Sequence, residues 1–283
     1  MAGCGGGGET AQPRQATVVA STGVWGSVAG AVAGGHAAVD SILDGAAADP
    51  HSFEASPADA AAITDAALVV YNGGGYDHWV DDVLADHPDV KTVDAYELLD
   101  NTEQPANEHV FYDIGTAKAV AAQIAVRLSE ADPDHAADYR ANAEEFGKQA
   151  DTIASSERAI AQAHPGASVV ATEPVGYYLL RNAGVTDRTP QGFAAAVEEG
   201  DDPAPADVAT MLDLINSQQV AALLFNPQTE TAATQQIEAA ARRASVPVVN
   251  VTETLPEGLD YLTWQARTVE ELAHQLDQAP RAR

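Results

Sequence analysis

The 283-residue chain carries 42 acidic side chains against 14 basic ones, a formal net charge of −28. Such a surface repels nucleic-acid phosphates and anionic lipid headgroups, attracts cations over a reach that salt limits to about 10 Å, and suits hydration in a high-salt habitat. The length allows one large domain or two lobes with a core each, and no apolar run approaches the roughly 20 residues that a membrane-spanning helix needs.

The single cysteine, Cys4, stands in Met1-Ala2-Gly3-Cys4 ahead of Gly5 to Gly8. One cysteine excludes an internal disulfide and a thiolate metal site. Residues 1–15 read as a flexible tether, and the setting of Cys4 resembles the end of a bacterial lipoprotein signal, which would make it the lipidated residue.

From Ala16 the pattern is short apolar strands alternating with helices. Ala16 to Ala20 and Val39 to Leu43 read as strands around a helix over Val24 to Val32. Ser56 stands as N-cap of a helix over Pro57 to Thr64, with Asp59 in its first turn. Ala67 to Tyr71 is a continuous apolar strand broken by Asn72-Gly73-Gly74-Gly75. A helix over Trp79 to Leu84 and a strand from Thr92 follow, and His109 to Tyr112 reads as a short extended patch before a helix that starts near Gly115.

From about Pro133 to Ala163 the spacing of Ala136, Tyr139, Ala143, Phe146, Ala150 and Ile153 alternates between three and four, the mark of an amphipathic helix. Some thirty helical residues span on the order of 45 Å, which suits a strut between two lobes; two shorter helices with a bend are the alternative. Beyond His164-Pro165-Gly166 the strand–helix rhythm resumes. Strands are predicted over Ser168 to Ala171, Ala221 to Phe225 and Val246 to Val251. Helices are predicted over Tyr177 to Asn182, Ala206 to Ser217, Thr231 to Ala244 and Leu262 to Leu276.

The fold class is therefore α/β, two Rossmann-like lobes with parallel sheets joined by one long rigid linking helix. The expected divisions are a tether over 1–15, a first lobe over 16–132, the linking helix over 133–164 and a second lobe over 165–283. No sequence repeat relates the halves.

Open α/β sheets bind ligands beyond the carboxyl ends of their strands. Of the eight histidines, His36, His78, His87, His135, His164 and His274 sit in polar, helix-side or turn settings and read as surface residues. His51, in Asp49-Pro50-His51-Ser52-Phe53-Glu54, and His109, in Asn107-Glu108-His109-Val110-Phe111-Tyr112-Asp113, instead stand where apolar stretches break into loops. Glu173 and Glu253 each follow an apolar strand by two residues. Two neutral imidazoles and two carboxylates balance the formal charge of one divalent cation, and the donor set suits zinc or manganese. Each residue also has an ordinary reading: Glu173 as a helix cap, Glu253 as a solvated loop acid.

These motifs resemble the zinc/manganese family of periplasmic or lipid-anchored solute-binding proteins. Asp49 to Asp59 resembles its first ligand motif, Tyr71 to Trp79 its glycine turn, and Asn107 to Asp113 its second ligand motif. Asp132-Pro133 with Tyr139 to Asn142 resembles the start of its linking helix, and Glu198 to Asp207 and Asn226 to Thr229 resemble later signatures. The resemblance puts His51, His109, Glu173 and Glu253 in the four ligand slots, with Asp260 close enough to hold the fourth. The His- and acid-rich loop of many zinc-specific members is absent.

What the resemblance implies is a capture protein and not an enzyme. It would take zinc or manganese as transported ligand and deliver it to an ABC permease driven by its ATPase. A monomer is expected, held by the Cys4 lipid on the outer face of the cytoplasmic membrane and touching no nucleic acid; cell adhesion is compatible. Competing readings are a binder of metal chelates or other small solutes on the same architecture and a His/Glu zinc hydrolase.

Overall fold

A computed structural model describes residues 16–45, 53–100 and 107–279; Cys4 and His51 lie outside the described residues. Strand β1 (Thr17–Thr22) leads into helix α1 (Gly23–Ala33) and strand β2 (Ala38–Leu43). Helix α2 (Pro57–Asp65) opens with a capping box. Ser56 Oγ accepts from the Asp59 amide while the Asp59 carboxylate accepts from the Ser56 amide, which satisfies two helix-end donors at once. Strand β3 (Leu68–Tyr71), helix α3 (His78–Ala85) and strand β4 (Thr92–Asp94) complete the first sheet. Its strands are all parallel, in the order β2-β1-β3-β4.

Helix α4 (Ile114–Ala131) follows, then a turn of 3-10 helix over Pro133–His135 and the 28-residue helix α5 (Ala136–Ala163). α5 is continuous, about 42 Å long at 1.5 Å per residue. It packs against α4, α1 and the carboxyl-terminal helix, so it is a wall shared by both lobes.

The second sheet repeats the first. Strand β5 (Ser168–Ala171), helix α6 (Tyr177–Asn182), strand β6 (Thr186–Asp187), helix α7 (Gln191–Glu198), helix α8 (Pro205–Asn216), strand β7 (Ala222–Phe225), helix α9 (Ala232–Ala244) and strand β8 (Val248–Asn250) give the parallel order β6-β5-β7-β8. Helix α10 (Tyr261–Gln278) ends the described chain. Two elements escaped the sequence pattern: β6 has two exposed residues, and α7 buries only Phe193 and Val197.

Strand side chains alternate between faces, and in both sheets each face is covered. Val18, Ala20, Leu68 and Val70 face one core with Val169, Ala171, Ala222 and Leu224 of the other sheet. That core is continuous across both lobes through α1, α4, α5 and α10. The opposite faces are satellites: Val19, Val69 and Tyr71 under Ile63, Trp79 and Val80 in one lobe, and Val170, Leu223 and Phe225 under α7, α8 and α9 in the other.

The segment expected to extend over His109 to Tyr112 is instead a turn of 3-10 helix over Val110–Tyr112. Val110, Phe111 and Tyr112 are all buried. Three successive side chains all enter the core from a tight turn, whereas a strand would send alternate ones to opposite faces.

The lobes are latched at their junction. Tyr112 donates to Thr252 O (2.9 Å), Tyr76 to Glu253 O (3.4 Å) and, in the reverse direction, Tyr178 to Asn107 O (2.6 Å). From α10, Tyr261 donates its hydroxyl to Phe111 O at 2.7 Å and its amide to Ser27 Oγ at 2.9 Å.

Candidate metal centre

Both sheets have their topological switch point between the first and third strands in chain order, β1 with β3 and β5 with β7, where open α/β sheets bind ligands. In the second lobe β5 leads to Glu173, β7 to Asn226, and the loop after β8 carries Glu253. Both carboxylates are buried, 3% and 7% exposed, and Asn226 is fully buried. Asn226 Nδ2 donates to Glu173 Oε2 at 2.7 Å and to Glu253 Oε1 at 3.0 Å. One amide thus bridges two carboxylates that would otherwise repel each other.

Asn226 is itself fixed. Its amide nitrogen donates to Thr172 Oγ1 at 3.0 Å, and its Oδ1 accepts from the Gln228 amide at 3.0 Å. Gln228 Oε1 accepts from the Glu253 amide at 2.7 Å, and Gln228 Nε2 donates to Thr254 Oγ1 at 2.6 Å. Glu173 is the N-cap of a single 3-10 turn over Pro174–Gly176, yet its side chain makes no cap bond there; it turns toward Asn226.

In the first lobe the glycine turn supports the histidine. Gly73, Gly74 and Gly75 all have positive φ, 73°, 65° and 92°, a run that residues with a Cβ resist. The Asp77 carboxylate clamps the turn by accepting from the Asn72 and Gly73 amides at 2.7 and 2.8 Å. Asn72, fully buried, then donates its side-chain amide to Glu108 O at 2.8 Å and accepts from Trp25 Nε1 at 3.3 Å.

This positions His109, whose side chain is 1% exposed. Asn107 Oδ1 accepts from the His109 backbone amide at 2.9 Å and lies 3.1 Å from His109 Nδ1. A carbonyl oxygen only accepts, so Nδ1 carries the proton in the neutral ring and Nε2 holds the lone pair. Tyr76 and Phe111 meet the ring edge-on, each 5.8 Å between centroids.

Nε2 faces a residue absent from the expected ligand set: Glu198 Oε1, 3.9 Å away, at the last position of α7. Burial, followed by the Glu108, Glu173 and Glu199 carboxylates, pushes the Glu198 carboxyl up to about 8. Among the described residues, Glu108, His109 and Glu198 bring one potential ligand atom each within 4.8 Å of one another.

The described structure therefore joins Glu173 to Glu253 through Asn226, and His109 to Glu108 and Glu198. Asp260, the reserve fourth ligand, caps α10, with Oδ1 accepting from the Thr263 amide at 2.8 Å. Asn226 and Glu198 are absent from the expected ligand set, since each is read from the sequence only as part of a family signature, Asn226 to Thr229 and Glu198 to Asp207. The histidines expected at the surface include a stacked pair, His36 and His135, with ring centroids 4.1 Å apart.

A family model for the zinc-uptake complex component A, periplasmic, matches residues 18–275. The manganese-binding lipoprotein MntA of Bacillus subtilis is 26% identical over 220 residues, 74% of this chain and 70% of that protein. Its namesake in Halalkalibacterium halodurans is 29% identical over 133 residues; the aligned stretch covers 46% of this chain but only 44% of that relative's length.

Among solved structures, the periplasmic zinc-binding protein TroA of Treponema pallidum aligns with a TM-score of 0.78 at 16% identity, covering 93% of this chain and 99% of that one. The laminin-binding protein Lmb of Streptococcus agalactiae, described as bifunctional with adhesin and metal-transporting activity, aligns with a TM-score of 0.78 at 24% identity, over 92% and 99%. At these identities the structures speak for the fold. The family model matches nearly the whole described chain, and the chain belongs to the periplasmic zinc-uptake component A family, whose members are solute-binding proteins and not enzymes.

Proposed function

We propose that the chain captures one divalent transition metal, zinc or manganese, on His51, His109, Glu173 and Glu253 and delivers it to an ABC permease and its ATPase. Among the described residues, the observation that most supports this reading is the buried amide of Asn226 held between the Glu173 and Glu253 carboxylates. The shared amide brings two buried carboxylates side by side, and a dication between them neutralises both formal charges. The His109 tautomer, with Nε2 as the lone-pair nitrogen, adds a ligand in the state that metal binding requires. The names of the relatives, manganese-binding in two cases and zinc-binding in a third, agree with the donor set.

Cys4 is the proposed lipid attachment, holding a monomer on the outer face of the cytoplasmic membrane; the two MntA relatives described above are named lipoproteins. The proposed division is a tether over 1–15, lobes over 16–132 and 165–283, and a linking helix over 133–164. Metal release proceeds by small tilts and loop shifts, since tyrosine latches and the shared α5 wall oppose wide opening. The test is a competitive titration of the apo protein with zinc and with manganese, repeated on His51→Ala, His109→Ala and Glu253→Ala. One tight equivalent, weakened in all three variants, is expected. A wild-type chain that takes up neither metal overturns the reading.

A further inference from the structure

The carboxylate of Glu198 has no role in a four-ligand site. It stands at the end of α7, and its Oε1 is buried and accepts no hydrogen bond among the described residues. Buried carboxylate oxygens are ordinarily satisfied, and an orphaned one asks what completes it. Across from it, at 3.9 Å, stands His109 Nε2, the nitrogen that carries the lone pair. No lysine or arginine among the described residues pairs with it. Glu108, whose backbone carbonyl is tied to Asn72, completes a group whose ligand atoms lie within 4.8 Å of one another.

We propose that Glu108, His109 Nε2 and Glu198 form an outer cation position, where an incoming divalent ion is first held before it shifts, still on His109 Nε2, toward the Glu173–Glu253 pair. This rests on the capture function proposed above and extends it to the path of uptake. Once the ion has displaced the Glu198 proton, two carboxylates and a neutral imidazole balance a dication, and the donors suit manganese or zinc. A three-donor position leaves the ion some of its water, so dehydration is divided between two steps. Sharing one imidazole keeps the ion coordinated while the remaining water is replaced.

Glu198 is 25% exposed and sits at a helix end, where it can meet an ion from solvent. Its neighbour Glu199 is exposed. Glu199→Gln makes the same acid-to-amide change at the same end of the helix without touching His109, and so isolates general attraction from direct contact.

The test is stopped-flow binding of Mn²⁺ and of Zn²⁺ to the full chain, with dissociation followed by transfer to a chelator. Glu198→Gln is expected to slow association at least about tenfold while dissociation changes less, because the inner ligands are intact. Glu108→Gln is expected to act in the same direction, Glu198→Asp to fall between, and Glu199→Gln to stay within about twofold of wild type. Equal slowing in Glu198→Gln and Glu199→Gln reduces the effect to net charge and overturns the outer position. An unchanged association rate does the same, as does an effect confined to dissociation, which would make Glu198 a fifth ligand of a single site. A wild-type chain that binds neither ion overturns the capture function as well, whereas tight wild-type binding with unaltered Glu198→Gln kinetics removes the outer position alone.

Discussion

Asn226 stands in the second sheet where Asn72 stands in the first: each directly follows the third strand of its lobe in chain order, and each is fully buried. Each passes its side-chain amide to a segment that carries proposed ligands. Asn72 holds the Glu108 carbonyl beside His109, and Asn226 holds the Glu173 and Glu253 carboxylates. Two amides at equivalent switch points thus orient the proposed ligands of both lobes that lie among the described residues.

Removing one of them tests how far orientation matters. Asn226→Ala takes away the amide that bridges the two carboxylates, and loss of such a supporting group typically costs 10–100-fold in metal affinity. Competitive chelator titration at pH 7.5 is expected to read a loss in that range. Asn226→Asp, which replaces the donor with a third carboxylate, is expected to bind no better than Asn226→Ala.

Asn107 controls the other ligand through its tautomer. Asn107→Ala frees His109 Nδ1 and lets the ring place its proton on either nitrogen, so affinity is expected to fall, again within 10–100-fold. Asn107→Asp keeps the acceptor and adds charge that raises imidazole basicity, so it is expected to retain binding. Protons compete with the metal for imidazole, so wild-type affinity is expected to decline as pH drops through about 6.5, the ordinary histidine value. Titrations at a series of pH values check both, and a flat profile from pH 5 to 8 contradicts the histidine ligands.

Glu157 of α5 gives a pH dependence separate from the metal. It is 1% exposed and its Oε1 accepts no hydrogen bond among the described residues. Burial, reinforced by the Asp113 carboxylate and opposed by the Asn182 hydrogen bond and by Arg158 and Arg181, pushes its carboxyl from 4.5 up to about 8. Between those values the unfolded chain has released this proton and the folded chain has kept it. The contribution to stability therefore falls as pH rises through the window and levels off above about 8. Glu157→Gln removes the dependence. Thermal unfolding is expected to find Tm nearly unchanged at pH 4.5 and raised by roughly 4 °C or more at pH 8.

The net charge of −28 sets a third condition. Self-repulsion of a compact acidic chain is relieved by screening. Tm is expected to rise by several degrees between 0.1 and 2 M potassium chloride, a salt chosen over sulfate because sulfate also strengthens apolar burial. A Tm that is flat or falling with salt would mean that the acidic surface is already locally compensated.

Much of this architecture was legible because apolar strands of four to six residues, bounded by glycine, proline and caps, carry their own boundaries. Ser168 to Ala171 and Tyr177 to Asn182 were placed to the residue. The two-lobed plan followed from that rhythm, while its repetition was hidden because topology repeats and side chains do not. The turn at Val110–Tyr112 was misread as extended because apolarity does not distinguish a strand from a buried 3-10 turn. α7 was invisible with two buried residues on eight, so Glu198 stood out only as the head of a signature and not as a helix-end group facing His109. Asn226 gave no titratable signal, and its value appears only where three loops converge.

The reach of Tyr261 back to Ser27, across 234 residues, bears on how the chain acquires its shape. The first lobe's α1 is finished by a helix made near the carboxyl end, so the first hundred residues, synthesised earliest, hold an incomplete core until almost the whole chain is present. Contacts of such separation are entropically late and slow to form. The two halves of this binding protein are therefore expected to mature in one concerted step after synthesis, and a chain halted before α10 is expected to stay open to proteases along its full length.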